Sequence, residues 1–144
     1  MDARAIRRIL REVQASKDLF KPLSRALDFR HTAIMFGSLK TSIWASALIR
    51  RAEIEGAFAS VLYKGDMDAG AALVKVRLLD GTATLYRPLR EMDGTRIWLP
   101  KGPEDDRDID DMITARRKND PDLWVIEIED RKGRHFLTET VEGE

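Results

Sequence analysis

The chain has 144 residues, 43% of them hydrophobic and 35% charged, which fits one globular domain with a real core and excludes a disordered polymer. Lys plus Arg and Asp plus Glu number 25 each, so the formal net charge is zero and the positive excess of a phosphate-gripping nucleic-acid binder is missing. Cysteine is absent, which removes disulfides, thiolate nucleophiles and Cys-ligated zinc, and no apolar run approaches the roughly 20 residues that span a bilayer.

Residues 1–16 place Ile6, Ile9, Leu10 and Val13 at helical spacing, with Arg4, Arg7, Arg8 and Arg11 on the remaining faces. No apolar block follows these arginines, so they do not form a secretory signal. Pro22 suits the first turn of a second short helix. Residues 1–34 thus read as a basic helical arm that docks on the domain or frays. A membrane-surface or acidic-partner contact is the sharper alternative, and Met35 is an alternative start. From Lys40 the domain proper begins. Ile43 to Ile49 is apolar and fits strand or helix. Arg50 to Glu55 reads as helix, ended by Gly56. Ala57 to Tyr63 reads as strand, and Gly65 to Gly70 as a loop.

Asp80-Gly81 and Asp93-Gly94 each sit between runs rich in β-formers, which predicts an antiparallel meander over residues 71–99. Taken as two-residue loops, they pair Leu78 with Ala83, Val76 with Leu85 and Lys75 with Tyr86, then Glu91 with Arg96 and Leu89 with Trp98. Val74, Val76, Leu78, Ala83 and Leu85 then share an apolar face, while Lys75, Arg77, Thr82, Thr84 and Tyr86 share a wet one. Pro88 marks an edge or bulge.

Residues 103–121 predict a helix. Asp105, Asp106 and Asp108 are candidate caps, Ile109, Met112 and Ile113 form its apolar face, and Arg116, Arg117 and Lys118 complement the dipole at its end. A strand follows from Trp124, with Glu127 and Glu129 on its wet side. Asp130 to Gly133 reads as a hairpin loop, Arg134 to Leu137 as a returning strand, and 139–144 as a loose acidic tail. Short connections favour antiparallel neighbours. The expected fold is α+β: an antiparallel sheet of about five or six strands, covered on one face by two or three helices. The expected domain spans residues 35–138.

No nucleophile, base and metal-ligand set converges in the sequence. No catalytic residue, metal ligand or cofactor is assigned. His135 is a candidate base, more readily a hydrogen-bonded surface residue. Glu127, Glu129 and Asp130 could hold Mg²⁺ or divide acid and base roles, although alternation alone produces such a wet face. Asp66 lies in the glycine-punctuated loop, which lacks the Lys-Ser/Thr of a phosphate loop. Arg50 and Arg51 could fork onto a carboxylate or phosphate. Trp124 is a core residue or, if exposed, an interface marker.

Leu39-Lys40-Thr41-Ser42-Ile43-Trp44, Ala47 to Glu53, Lys64-Gly65-Asp66 with Gly70, and Asp120-Pro121-Asp122-Leu123-Trp124 running into Glu127, Glu129, Asp130 and Arg131 resemble a small, mostly alphaproteobacterial family without assigned activity. The resemblance spans about residues 39–136. It implies a single cytoplasmic domain and carries no catalytic residue across.

Three functional readings follow. The first is a non-enzymatic cytoplasmic module that binds itself or another protein through an exposed strand or apolar face. The second is a small metal-assisted hydrolase or nuclease built on Glu127, Glu129, Asp130 and His135. The third is nucleic-acid binding through the basic arm with Lys75, Arg77 and Tyr86, against which the neutral overall charge argues.

Overall fold

The computed structural model describes residues 2–8 and 40–144. The second helix after Pro22, His31 and Met35 lie outside them. Residues 3–8 are helical, and Ile6 is buried.

Helix α1 (Thr41–Ile54) leads to β1 (Phe58–Tyr63), β2 (Ala72–Arg77), β3 (Thr82–Arg90), β4 (Arg96–Asp105), α2 (Asp106–Asn119), β5 (Trp124–Glu129) and β6 (Thr140–Val141). The apolar run from Ile43 is helix, because Trp44, Ala45, Leu48, Ile49 and Ala52 fall on one buried stripe. Gly56 ends α1: Ala57 N–H donates to Ala52 O and Gly56 N–H to Glu53 O. Asp105 caps α2 by accepting from the Arg107 N–H. That helix starts at Asp106 rather than near Pro103, because β4 runs through Asp105.

The strands form one sheet in the order β1-β5-β2-β3-β4-β6. The β2-β3-β4 meander is antiparallel as expected, and β1 is antiparallel to β5. The sheet is mixed, however, since β5 runs parallel to β2 and β6 parallel to β4. The short-connection argument fails at β2 and β5 because β3, β4 and α2 together supply the long crossover that a parallel pair requires. With β1 and β2 on its flanks, β5 has no free edge for a returning strand, so residues 134–139 form no strand. Phe136 and Leu137 instead pack on the core, and Thr140–Val141 extends the sheet beside β4. The tail expected to be loose is therefore held, with Val141 buried.

Both hairpins differ from expectation by one residue. Lys75 pairs with Leu85 and Val76 with Thr84. Leu89 pairs with Ile97, and Arg90 rather than Glu91 faces Arg96. A type I′ turn needs positive φ at both central residues, yet only Gly81 and Gly94 have it, not Asp80 or Asp93. Each turn is a three-residue loop closed by a left-handed glycine, and the aspartate Oδ1 accepts the backbone N–H of Thr82 or Thr95.

The one-residue shift moves Tyr86 to the side of Val74 and Val76, and Ala83 and Leu85 to the other. Val74, Val76, Tyr86, Trp98, Trp124, Ile126 and Ile128 pack with α1 and Ile6 on one side. Trp44 stacks on Trp98 there, ring centroids 5.5 Å apart. Leu73, Ala83, Leu85 and Val125 pack with Ile109 and Ile113 of α2 on the other. Helices cover both faces, not one, so Lys75 and Tyr86 are buried although assigned to water.

Candidate functional site

On the α2 face, parallel pairing sets Lys75 beside Glu127 and Arg77 beside Glu129. Asp106 and Asp110 stand one turn apart on α2 above them. The Lys75 side chain is only 2% exposed; its Nζ lies 2.6 Å from Asp106 Oδ1, 2.6 Å from Asp110 Oδ1 and 3.3 Å from Glu127 Oε2. Arg77 continues the network to Asp106 Oδ2 at 3.3 Å and Glu129 Oε2 at 3.4 Å. Burial works against the Lys75 charge, but bonds to Asp106 and Asp110 outweigh it and hold its pKa above the ordinary value. A nucleophilic lysine needs the opposite shift. The ammonium and guanidinium thus occupy the space between the carboxylates. Among the described residues no group of three or more His, Asp or Glu is arranged to hold a metal ion.

Glu127 and Glu129 therefore come together, but with cations rather than with Asp130 and His135. Asp130 is buried and receives Arg134 Nε at 2.9 Å, Arg134 Nη2 at 2.9 Å and the Arg134 N–H at 2.8 Å. These bonds hold its carboxyl at about 2. Arg134 Nη2 also donates to Glu55 O, fastening the turn after β5 to the end of α1. His135 Nδ1 accepts the Leu137 N–H at 2.9 Å, its Nε2 lies 3.2 Å from Glu144 Oε2, and its ring packs on Tyr86. Both ring nitrogens are committed locally.

Asp66 shapes its own loop, with Oδ1 accepting from Asp68 and Ala69 N–H and its carbonyl accepting from Trp124 Nε1. A Cβ on Gly65 would lie 1.9 Å from Asp122 O, so glycine there permits the close packing of the loop on the start of β5. Trp124 is core. Arg51 donates from Nε to Phe136 O, and Arg50 lies half-buried on α1. With Lys75 and Tyr86 inside, the surface imagined for nucleic acid is not assembled.

Sequence reasoning missed Lys75, Asp106 and Asp110. A signal existed: Asp106 and Asp110 fall at i, i+4 on the stripe that carries Ile109 and Ile113, and Lys75 sits between two valines.

Two surface features remain. The sheet ends at β1, whose sequence FASVLY carries no charge. Phe58 is 70% exposed, Leu62 38% and Tyr63 37%, and Ile54 at the end of α1 is 65% exposed. A cavity of about 270 Å³ opens between the start of α1 and the β3–β4 hairpin, lined in part by Thr41, Gly70, Arg90, Arg96 and Trp98. Among the described residues no helix is long and apolar enough to cross a membrane.

The architecture is that of an α+β domain in which one mixed six-stranded sheet carries a helix on each face. Residues 39–138 match the family model described as a protein of unknown function, DUF1491, and the chain belongs to that family. It is similar to a DUF1491 protein from Caulobacter crescentus CB15 known by crystallography. That match has 53% identity and TM-score 0.69, covering 72% of this chain and 99% of that one. An NMR structure of a DUF1491 family protein from Caulobacter crescentus CB15 gives 50% identity and TM-score 0.67, covering 73% and 97%. Protein Atu0922 from A. tumefaciens gives 34% identity and TM-score 0.64, covering 74% and 98%. No curated protein matches the chain.

Proposed function

We propose that this DUF1491 domain is a non-enzymatic cytoplasmic interaction module that self-associates through the β1 edge. Residues 35–138 make the module and 1–34 a basic arm appended to it. The observation that supports this reading is the uncharged edge strand beside exposed Ile54, Phe58, Leu62 and Tyr63. Sheet edges in monomers are normally blunted by lysine, proline or inward charge. Here a bulge between Val61 and Tyr63 is the blunting feature. A second copy is the favoured occupant because an antiparallel β1–β1 pair brings no like charges together. Centred on Ser60, it sets Phe58 opposite Leu62 of the other copy, and the contact closes about a two-fold axis. Engagement of the acids by Lys75, Arg77 and Arg134 weighs against their use in metal-assisted hydrolysis.

Sedimentation of the full chain from 1 to 100 µM tests the reading. A concentration-dependent dimer is expected, weakened at least ~10-fold by Phe58→Lys, which corresponds to about 1.4 kcal/mol. A wild-type chain that stays monomeric throughout refutes self-association.

A further inference from the structure

Arg90 and Arg96 are direct cross-strand partners, and both line the cavity beside Trp98. Like charges placed directly opposite one another on a sheet destabilise it. The local counter-charge is thin. Arg96 has Glu139 Oε1 at 3.9 Å, while the other oxygen of Glu139 accepts from Trp98 Nε1. Arg90 has no acidic partner among the described residues. Asp68, also on the cavity wall, is paired with Lys40 at 3.2 Å. Burial and the neighbouring Arg90 both disfavour the Arg96 charge, with Glu139 acting against them.

We infer that the Arg90–Arg96 cavity binds a phosphate group, free or as a small phosphomonoester, held between the two guanidiniums. Guanidinium forks match phosphate oxygens bidentately, and an anion bridging the pair turns a repulsive register into an attractive one. Size limits the ligand class. At about 270 Å³ the space lies at the small end of the ~300–1,000 Å³ of ligand sites, which suits a phosphate with a small organic group. This site is separate from the β1 edge, so either proposal can fail without the other.

The test uses the full chain, thermal unfolding and calorimetry at constant ionic strength. Phosphate at 10 mM replaces chloride, and glycerol phosphate serves as the monoester probe. Phosphate is expected to raise the wild-type Tm by about 4 °C. Arg90→Gln, at an exposed position that leaves the fold intact, loses that rise and weakens the calorimetric Kd at least ~10-fold. The same variant in chloride unfolds no lower than wild type, because a like-charge pair has been relieved. Tighter binding of the monoester than of inorganic phosphate supports a phosphorylated metabolite as ligand; equal binding supports the free ion. Absence of a wild-type shift overturns the inference, and so does an equal shift in Arg90→Gln.

Discussion

Lys75 is the residue whose environment departs furthest from what its chemistry favours in isolation. A buried cation survives there because Asp106, Asp110 and Glu127 surround it. Lys75→Met leaves Asp110 without its cation and Asp106 and Glu127 with Arg77 alone, and urea denaturation should record a loss of about 3 kcal/mol. Adding Asp106→Asn and Glu127→Gln to that variant should recover part of it. The raised Lys75 pKa sets a pH window: its stabilisation is fully present below the ordinary value of 10.5 and is lost as pH rises through the folded value above it. The alkaline fall in wild-type stability should therefore be shallower in Lys75→Met. Asp130 works at the other extreme. With its carboxyl held at about 2 by Arg134, its contribution is complete above 3.8 and vanishes as pH falls through 2. Asp130→Asn should cost about 1.5–3 kcal/mol at neutral pH and flatten unfolding curves between pH 4 and 2.

Elements were legible where local chemistry decides them. Asp105, the acidic first turn and the basic last turn announced α2, and Gly56 announced the end of α1. Asp80-Gly81 and Asp93-Gly94 announced both bends. What a two-letter turn signal does not carry is loop length: one residue of difference moved Tyr86 to the side of Val74 and Val76, while α2 over the opposite face buried Lys75. The same shift hid the Arg90–Arg96 pair, since the two-residue reading had matched Arg96 with Glu91. At Gly65 the backbone of Asp122 blocks any side chain, whereas a Cβ on Gly81 meets open space. Gly65→Ala should thus cost more than the ~1–2 kcal/mol of left-handed strain expected for Gly81→Ala, as chemical denaturation of the two variants can show.

For the whole molecule, pairing between distant segments was beyond local signals. Nothing around Phe58 or Ala72 states that residues 124–129 lie between them. Coverage of both faces could be suspected from β2 and β5, where Ala72 to Val76 and Trp124 to Ile128 are almost continuously apolar, as strands buried on both sides are. The closing strand was read as tail because its residues are acidic, yet Val141 is seated beside Trp98. Removing residues 139–144 should lower stability by about 1.5–3 kcal/mol, the burial of one valine, measurable as a drop in denaturation midpoint at unchanged steepness.

Threading β5 between two strands made much earlier has a consequence for biosynthesis. While the ribosome is still translating α2, β1 has no neighbour and β2 has only β3. An uncharged, aromatic-tipped ribbon stays open until residues 124–129 emerge. High contact order of this kind slows folding and lengthens the exposure of sticky edges. Nascent chains on the same message are therefore most prone to entangle through residues 58–63, the stretch that the finished protein leaves accessible.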